Sequence, residues 1–271
     1  MDRYRIRPGK KFKLDEFSPD ETGDFEGKKQ KGIEKFETFR SEIDKLQEVM
    51  YSENKHRLLI VFQAMDGGGK DGTIRAVFDG VNPQGVKVAS FKTPSAEELS
   101  HDYLWRIHAK TPKKGEIVIF NRSHYEDVLV VRVHNLVPKD VWKKRYQQIN
   151  NFEKQLAEEG TTILKFFLHI SLDEQKERFM ERLDVPEKNW KFNAGDLEER
   201  KLWSEYMKAF EEAIAKTSTE WAPWYVVPAN RNWFRNMVVS SVIAETMKSL
   251  KMEYPKPDID VDLMKKLLAD S

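Results

Sequence analysis

The apolar run Leu58-Leu59-Ile60-Val61-Phe62 passes almost at once into Ala64-Met65-Asp66-Gly67-Gly68-Gly69-Lys70-Asp71-Gly72-Thr73, and no other stretch limits the possible folds as much. Five consecutive apolar residues that end in a glycine cluster are the pattern of a strand buried on both faces, central in a parallel sheet. Ile74, Val77 and Phe78 follow at helical spacing, so the glycines join a strand to a helix. A turn of this kind lets several backbone N–H groups converge. The helix start adds partial positive charge and Lys70 a mobile cation, and together they form a cradle for phosphate. Gly67, Gly68, Gly69, Asp71, Gly72 and Thr73 are therefore candidates for binding phosphate. Against the pattern G-x-x-x-x-G-K-[ST], Ala64 replaces the first glycine and Asp71 the hydroxyl residue. A magnesium ligand is thereby missing, and the carboxylate of Asp66 or of Asp71 is the replacement in kind, because Mg2+ prefers hard oxygen donors. The alternative, a glycine-rich turn that binds nothing, requires strand, glycines, lysine and helix to fall in this order by chance.

Four more apolar runs, Val86 to Phe91, Glu116 to Phe120, Ile163 to Ile170 and Trp224 to Val227, read as further strands. Helical patterns lie between them. Ile33, Phe36, Phe39, Ile43, Leu46 and Met50 share one face of a long helix within Gly27 to Asn54. Pro138 opens a helix that Gly160 closes, while Ser95 with Glu98 and Ser171 with Glu174 form capping boxes. Asp196 to Thr217 repeats apolar residues at Trp203, Tyr206, Phe210 and Ile214, and Asn232 to Leu250 forms the last long helix. Strands alternating with helices predict a three-layer α/β/α fold around a parallel five-stranded sheet. Residues 1–26, which carry no period, read as an arm on the surface; 27–254 form the domain; 255–271 form a tail with an amphipathic segment.

The run ending at Phe120 continues into Asn121-Arg122-Ser123-His124-Tyr125-Glu126-Asp127. Central strand ends lie side by side in such sheets, so this segment should face the same cleft as the glycine loop. Arg122 can hold phosphate oxygens in a fork, and Glu126 and Asp127 can bind magnesium or orient an attacking phosphate. The alternative for the two acids is a helix start stabilised by its dipole. His124 reads as packing, since phosphate attacking phosphate requires no proton abstraction.

Three segments together resemble the family-2 polyphosphate kinases: Gln63 to Gly72, Phe120 to Leu129, and Arg182-Leu183-Asp184-Val185-Pro186-Glu187-Lys188-Asn189-Trp190-Lys191-Phe192. Trp221 to Tyr225 and Pro228-Ala229-Asn230 fit as well. The resemblance implies a P-loop kinase fold with a helical lid, here about residues 172–200. It further implies phosphoryl transfer from inorganic polyphosphate to AMP or ADP, with adenine or guanine as base, Mg2+ or Mn2+ as cofactor, and assembly as a homodimer or homotetramer. By that analogy Asp66, Lys70 and Arg122 belong to the active centre, Asp127 is a magnesium ligand, and Arg178 and Arg182 sit on the lid. Asn121 stands where much of the family carries aspartate, as in the subgroup that accepts both AMP and ADP. A polyanion also calls for a cationic groove, with Arg75, Lys113, Lys114, Arg132 and Lys143 to Arg145 as candidates and Arg75 foremost.

Composition narrows the field by exclusion. With 46 basic and 45 acidic residues, no global field marks a binder of nucleic acid or membranes. With no cysteine there is no disulfide, thiolate metal site or thiol nucleophile, which suits a reducing cytoplasm. The basic N-terminus, Met1 to Lys13, lacks an apolar signal stretch, and no apolar run is long enough for a bilayer. Two rivals share these features: an ATP-dependent nucleoside monophosphate kinase on the same fold, and a non-catalytic nucleotide or polyanion binder. The replaced hydroxyl at Asp71 speaks against the first. The clustered carboxylates speak against the second, because they repel a polyanion unless a cation lies between.

Overall fold

A computed structural model describes all 271 residues. Five strands, β1 (Arg57–Gln63), β2 (Val86–Ser90), β3 (Ile117–Asn121), β4 (Thr161–His169) and β5 (Trp224–Pro228), form one sheet in the order β2-β3-β1-β4-β5. Every pairing is parallel. Each strand falls on one of the five apolar runs. The helices are α1 (Lys29–Glu53), α2 (Lys70–Val77), α3 (Ala96–Ser100), α4 (Trp105–His108), α5 (Val130–Val133), α6 (Lys139–Glu158), α7 (Leu172–Asp184), α8 (Gly195–Lys201), α9 (Trp203–Thr217), α10 (Asn232–Ser249) and α11 (Val261–Ala269). None is long and apolar enough to cross a membrane.

Side chains alternate across a strand, so β1 feeds two cores. Leu59 and Val61 pack with Trp142, Tyr146, Ile149 and Phe210 of α6 and α9, whereas Leu58, Ile60 and Phe62 pack with Ile43, Ile74, Val77 and Val238 of α1, α2 and α10. Helices thus cover both faces, which is the three-layer α/β/α arrangement. From β1 the chain crosses to β2, and from β3 it crosses back over β1 to β4. The loops at the carboxyl ends of neighbouring β1 and β3 therefore leave in opposite directions and open a crevice between them.

Some local expectations shift. The helix predicted from Asp196 to Thr217 breaks at Leu202, and the period that suggested it belongs wholly to α9. The Ser95 capping box closes in both directions. In the second box only Glu174 N–H donates to Ser171 Oγ, because the Glu174 carboxylate is taken by Arg178. The N-terminal segment contributes Tyr4, Ile6, Phe12 and Leu14 to the cores, and Ile6 N–H donates to Trp224 O at 2.8 Å, beside an antiparallel bridge from Arg5 to Tyr225. Extended and single-turn segments bury side chains by individual contacts, which leave no period to read. In α11, Leu263, Leu267 and Leu268 are exposed.

Candidate active site

β1 delivers the chain to the glycine loop, and the loop closes on itself. Gly68 N–H donates to Met65 O at 2.9 Å, and Gly69, at φ +93°, starts α2 in a left-handed conformation that glycine alone adopts freely. Lys70 reaches back across the loop, its Nζ 3.0 Å from Ala64 O. Burial lowers the Lys70 pKa, with Asp66 and Glu126 opposing. Thr73 is different: it is buried, and its hydroxyl donates to Gly69 O at 2.9 Å, so it braces the loop instead of entering the cleft.

Where β3 ends, Arg122 adopts φ +61° and donates from Nη2 to Asp66 Oδ1 at 2.6 Å. Burial works against the Asp66 carboxylate, but Lys70, Arg122 and Arg182 outweigh it and hold the group below the usual carboxylate range. Asn121 donates to Asp71 Oδ1. The next residues, His124–Val128, form a 3-10 turn, in which successive side chains point about 120° apart. Glu126 and Asp127 consequently face different ways. Glu126 turns to the cleft: burial raises its pKa, while Arg122 and Lys70 pull it down. Asp127 is not brought there. Arg145 Nη1 donates to its Oδ1 at 2.9 Å and to its backbone carbonyl at 3.1 Å, in a half-buried pocket on the α6 side. The magnesium ligand expected at this position therefore has its carboxylate committed to an ion pair outside the cleft.

Beneath the turn lies a fully buried polar network. Lys165, in the middle of β4, donates from Nζ to Glu153 Oε2 at 2.6 Å, Tyr125 OH at 2.7 Å and Thr217 O at 2.7 Å. Glu153 Oε1 accepts from Tyr125 OH at 2.8 Å and lies 3.2 Å from His124 Nε2. His124 thus anchors the turn from within, as a packing residue would. Gln63 donates to Ser123 Oγ at 3.1 Å and fixes the other side.

Two cavities meet at the Asp66–Arg122 pair. The first, about 670 Å³, is lined by the loop, Asn121 and the segment 178–191, with seven cationic side chains against three carboxylates and Phe91 as its one hydrophobic residue. The second, about 360 Å³, has Arg122 as its one cation against Asp66, Glu126, Asp196 and Glu199, with Leu129, Tyr206 and Phe210 as apolar wall. A third cavity of about 750 Å³ runs along β2, where Glu116 pairs with Lys87 and Glu98 with Arg106; the carboxyl ends of β1 and β3 take no part in it.

The segment expected to form a lid, about residues 172–200, has a fixed base. Gln175 donates to Asp66 O at 2.7 Å, and Arg178 donates to Gly67 O at 2.8 Å and Ala229 O at 2.6 Å. Arg178 lines the first cavity yet acts largely as a strut. Arg182, by contrast, is held by single bonds to Asp196 at 3.2 Å and Lys191 O at 3.3 Å. Phe192 packs on Phe179, and Trp190 stands 79% exposed. Of the cations expected to line a groove, Arg132 is bonded to Glu212 and Arg145 to Asp127, and Arg75, Lys113, Lys114, Lys143 and Lys144 line neither site cavity. Lys92, just past β2, does line the first cavity. The rule that placed Arg122, proximity to a carboxyl strand end, would have found it. No group of three His, Asp or Glu side chains is placed to hold a metal ion by itself, so a divalent ion would take one or two of Asp66, Asp71 and Glu126 and complete its shell with phosphate and water.

Residues 26–255 match the family model described as Polyphosphate kinase 2. The chain belongs to the polyphosphate kinase 2 family. An AMP/ADP-polyphosphate phosphotransferase of Meiothermus ruber is 61% identical over 258 residues, covering 95% of this chain and 97% of that protein. An ADP-polyphosphate phosphotransferase of Rhodopseudomonas palustris is 48% identical over 266 residues, covering 94% and 92%. The crystal structure of polyphosphate kinase 2 from Arthrobacter aurescens superposes with a TM-score of 0.96 at 42% identity, over 100% of this chain and 96% of that one.

Proposed function

We propose that this chain transfers the terminal phosphoryl group of inorganic polyphosphate to AMP and to ADP, reversibly. One observation carries this reading: two cavities of opposite charge character share the Asp66–Arg122 pair. A polyanion is favoured in the first, where cations outnumber carboxylates and the loop's N–H groups converge. The second disfavours a long polyanion but suits the base and ribose of an acceptor whose phosphate reaches Arg122. Its carboxylates can accept from the amino group of adenine or guanine. The similarity to the Meiothermus ruber protein supports the dual acceptor.

In the step itself, an anionic oxygen of the acceptor attacks the terminal phosphorus in line. The new O–P bond forms as the bridging O–P bond to the rest of the chain breaks, and the shortened polyphosphate carries off the electron pair. No proton has to be removed. Lys70, Arg122 and Arg182 spread the charge that develops, the fixed base of the lid keeps the loop in shape, and the more loosely held segment from 182 to 196 can close and exclude water. Mg2+ or Mn2+ held by Asp66 with Glu126 or Asp71 would neutralise phosphate oxygens. We further place the protein in the cytoplasm, in keeping with its lack of cysteine, and propose a homodimer or homotetramer, for which the uncovered apolar side chains of α11 are the support.

The test is a phosphorus NMR or chromatographic time course of polyphosphate with AMP or ADP, metal, and no ATP. ADP and ATP should form in turn. Transfer that occurs only with ATP as donor would instead indicate a nucleoside monophosphate kinase. Lys70→Ala should lower the rate about 10²- to 10³-fold with the melting temperature unchanged, and near-normal turnover would refute the loop assignment.

A further inference from the structure

The phosphate loop is backed by a buried cation that is bonded to no carboxylate. Arg235, near the start of α10, is 3% exposed, and its guanidinium packs so tightly behind Gly69 that a Cβ there would stand 2.1 Å from Nη1. Its hydrogen bonds all go to neutral amides. Nη1 donates to Asn232 Oδ1 at 2.8 Å, and Nε and Nη2 donate to Asn236 Oδ1 at 3.1 and 3.0 Å. A second cation, Arg178, flanks it, with Nη1 3.3 Å from that same Cβ. Glu174, the one carboxylate in range, is engaged by Arg178 at 2.7 Å.

Burial, and then the like charge of Arg178, press the Arg235 pKa downward. A guanidinium nevertheless keeps its proton at any pH an enzyme meets. The fold therefore holds a desolvated cation beside a second cation, at the start of α2, where the helix dipole is also positive. A buried charge without a counter-charge destabilises a folded protein, and an apolar residue would fill the space at less cost. Met237, Val238 and Val239 lie next to it on the same helix. What offsets the cost has to be an anion, and the loop that Arg235 touches is the part of the molecule built to receive one.

We propose that Arg235 is a positioning residue for the phosphoryl donor: from behind the loop it secures the left-handed turn at Gly69 and raises the positive potential on the cleft side, so that a phosphate chain seated on the loop supplies the anion this guanidinium lacks. Arg235 does not line the cleft, so it acts through Gly69 and Arg178. The inference rests on the reading that the glycine loop holds the donor and not the acceptor.

Two variants test it. Arg235→Met keeps the bulk and removes the charge, and Arg235→Lys keeps the charge and loses the fork. In Arg235→Met the KM for polyphosphate should rise about tenfold or more, while kcat and the KM for AMP stay within about twofold, and the KM for polyphosphate should depend less steeply on salt. Arg235→Lys should recover part of the affinity. Without ligand, Arg235→Met should melt at or above the wild-type temperature, and tripolyphosphate should raise its melting point less than that of the wild type. A variant that melts lower and loses kcat with KM unchanged would make Arg235 a packing residue and overturn the proposal, as would kinetics and melting that do not change at all. If the KM for AMP rises in place of that for polyphosphate, the assignment of the loop to the donor fails with it. If Lys70→Ala weakens polyphosphate binding while Arg235→Met does not, the inference about Arg235 fails alone.

Discussion

Replacing Lys165 with methionine leaves Glu153 ionised in a pocket that water does not reach, and the cost of that can be worked out. Both side chains are fully buried, and Lys165 donates three bonds of 2.6 to 2.7 Å. Once the lysine is gone, the carboxylate can escape its predicament by taking a proton, as buried carboxyls with strongly raised pKa values do. At pH 7 that proton costs about 3.4 kcal/mol, from the distance to the ordinary glutamate value of 4.5 at about 1.4 kcal/mol per unit. Tyr125 OH and Thr217 O each lose a partner, adding about 1 kcal/mol apiece. The variant should therefore be destabilised by roughly 5 kcal/mol at pH 7, or on the order of 10 °C in melting temperature. At pH 5 the protonation part shrinks to about 0.7 kcal/mol. In the variant the folded carboxyl has the higher pKa, so it contributes stability at low pH that is lost as pH rises above the unfolded value; in the wild type Lys165 keeps Glu153 below its ordinary value. Denaturant unfolding of both proteins at pH 5 and 7 should show the gap narrowing by between about 2 and 3 kcal/mol. A gap as wide at pH 5 as at pH 7 would falsify the account, as would a Lys165→Met/Glu153→Gln double variant no more stable than Lys165→Met.

Glu126→Gln should lower turnover by about 10²-fold or more with little change in melting temperature, whereas Asp127→Asn, which breaks the pair with Arg145, should cost about 1–3 kcal/mol of stability and far less rate; steady-state kinetics beside thermal melts separate them, and the reverse ranking would restore Asp127 to the cleft. Gly69→Ala forces a Cβ into a left-handed turn and onto Arg235, so we expect a loss of about 1–2 kcal/mol and a raised KM for polyphosphate, read by the same melts and kinetics; wild-type values would mean that the loop tolerates a side chain there.

Much of the architecture was legible because apolar runs and periods report burial directly. The five strands fall where the runs lie, and the glycine loop and Arg122 converge because both follow central strands. Contacts that depend on three dimensions were not legible. Adjacent acids Glu126 and Asp127 look equivalent along the chain, and only the pitch of a 3-10 turn separates them. Arg178 reads as a cation for phosphate, but three backbone carbonyls happen to converge on it. Arg235 sits within the period of an apolar helix, where nothing in the sequence says that its guanidinium packs behind the glycine loop. Tyr4 and Phe12 belong to a segment with no regular spacing, yet they complete the cores.

The pairing of the N-terminal segment with β5 has a consequence for how the sheet can grow. A strand at the border of a sheet normally offers its free N–H and C=O groups to any extended peptide nearby. At β5 that offer is already taken up in part by Arg5 and Ile6, whereas β2 has no such neighbour and leaves Val88 in solvent. Additional strands therefore have one open side on which to join, and trimming the first six residues would open the other.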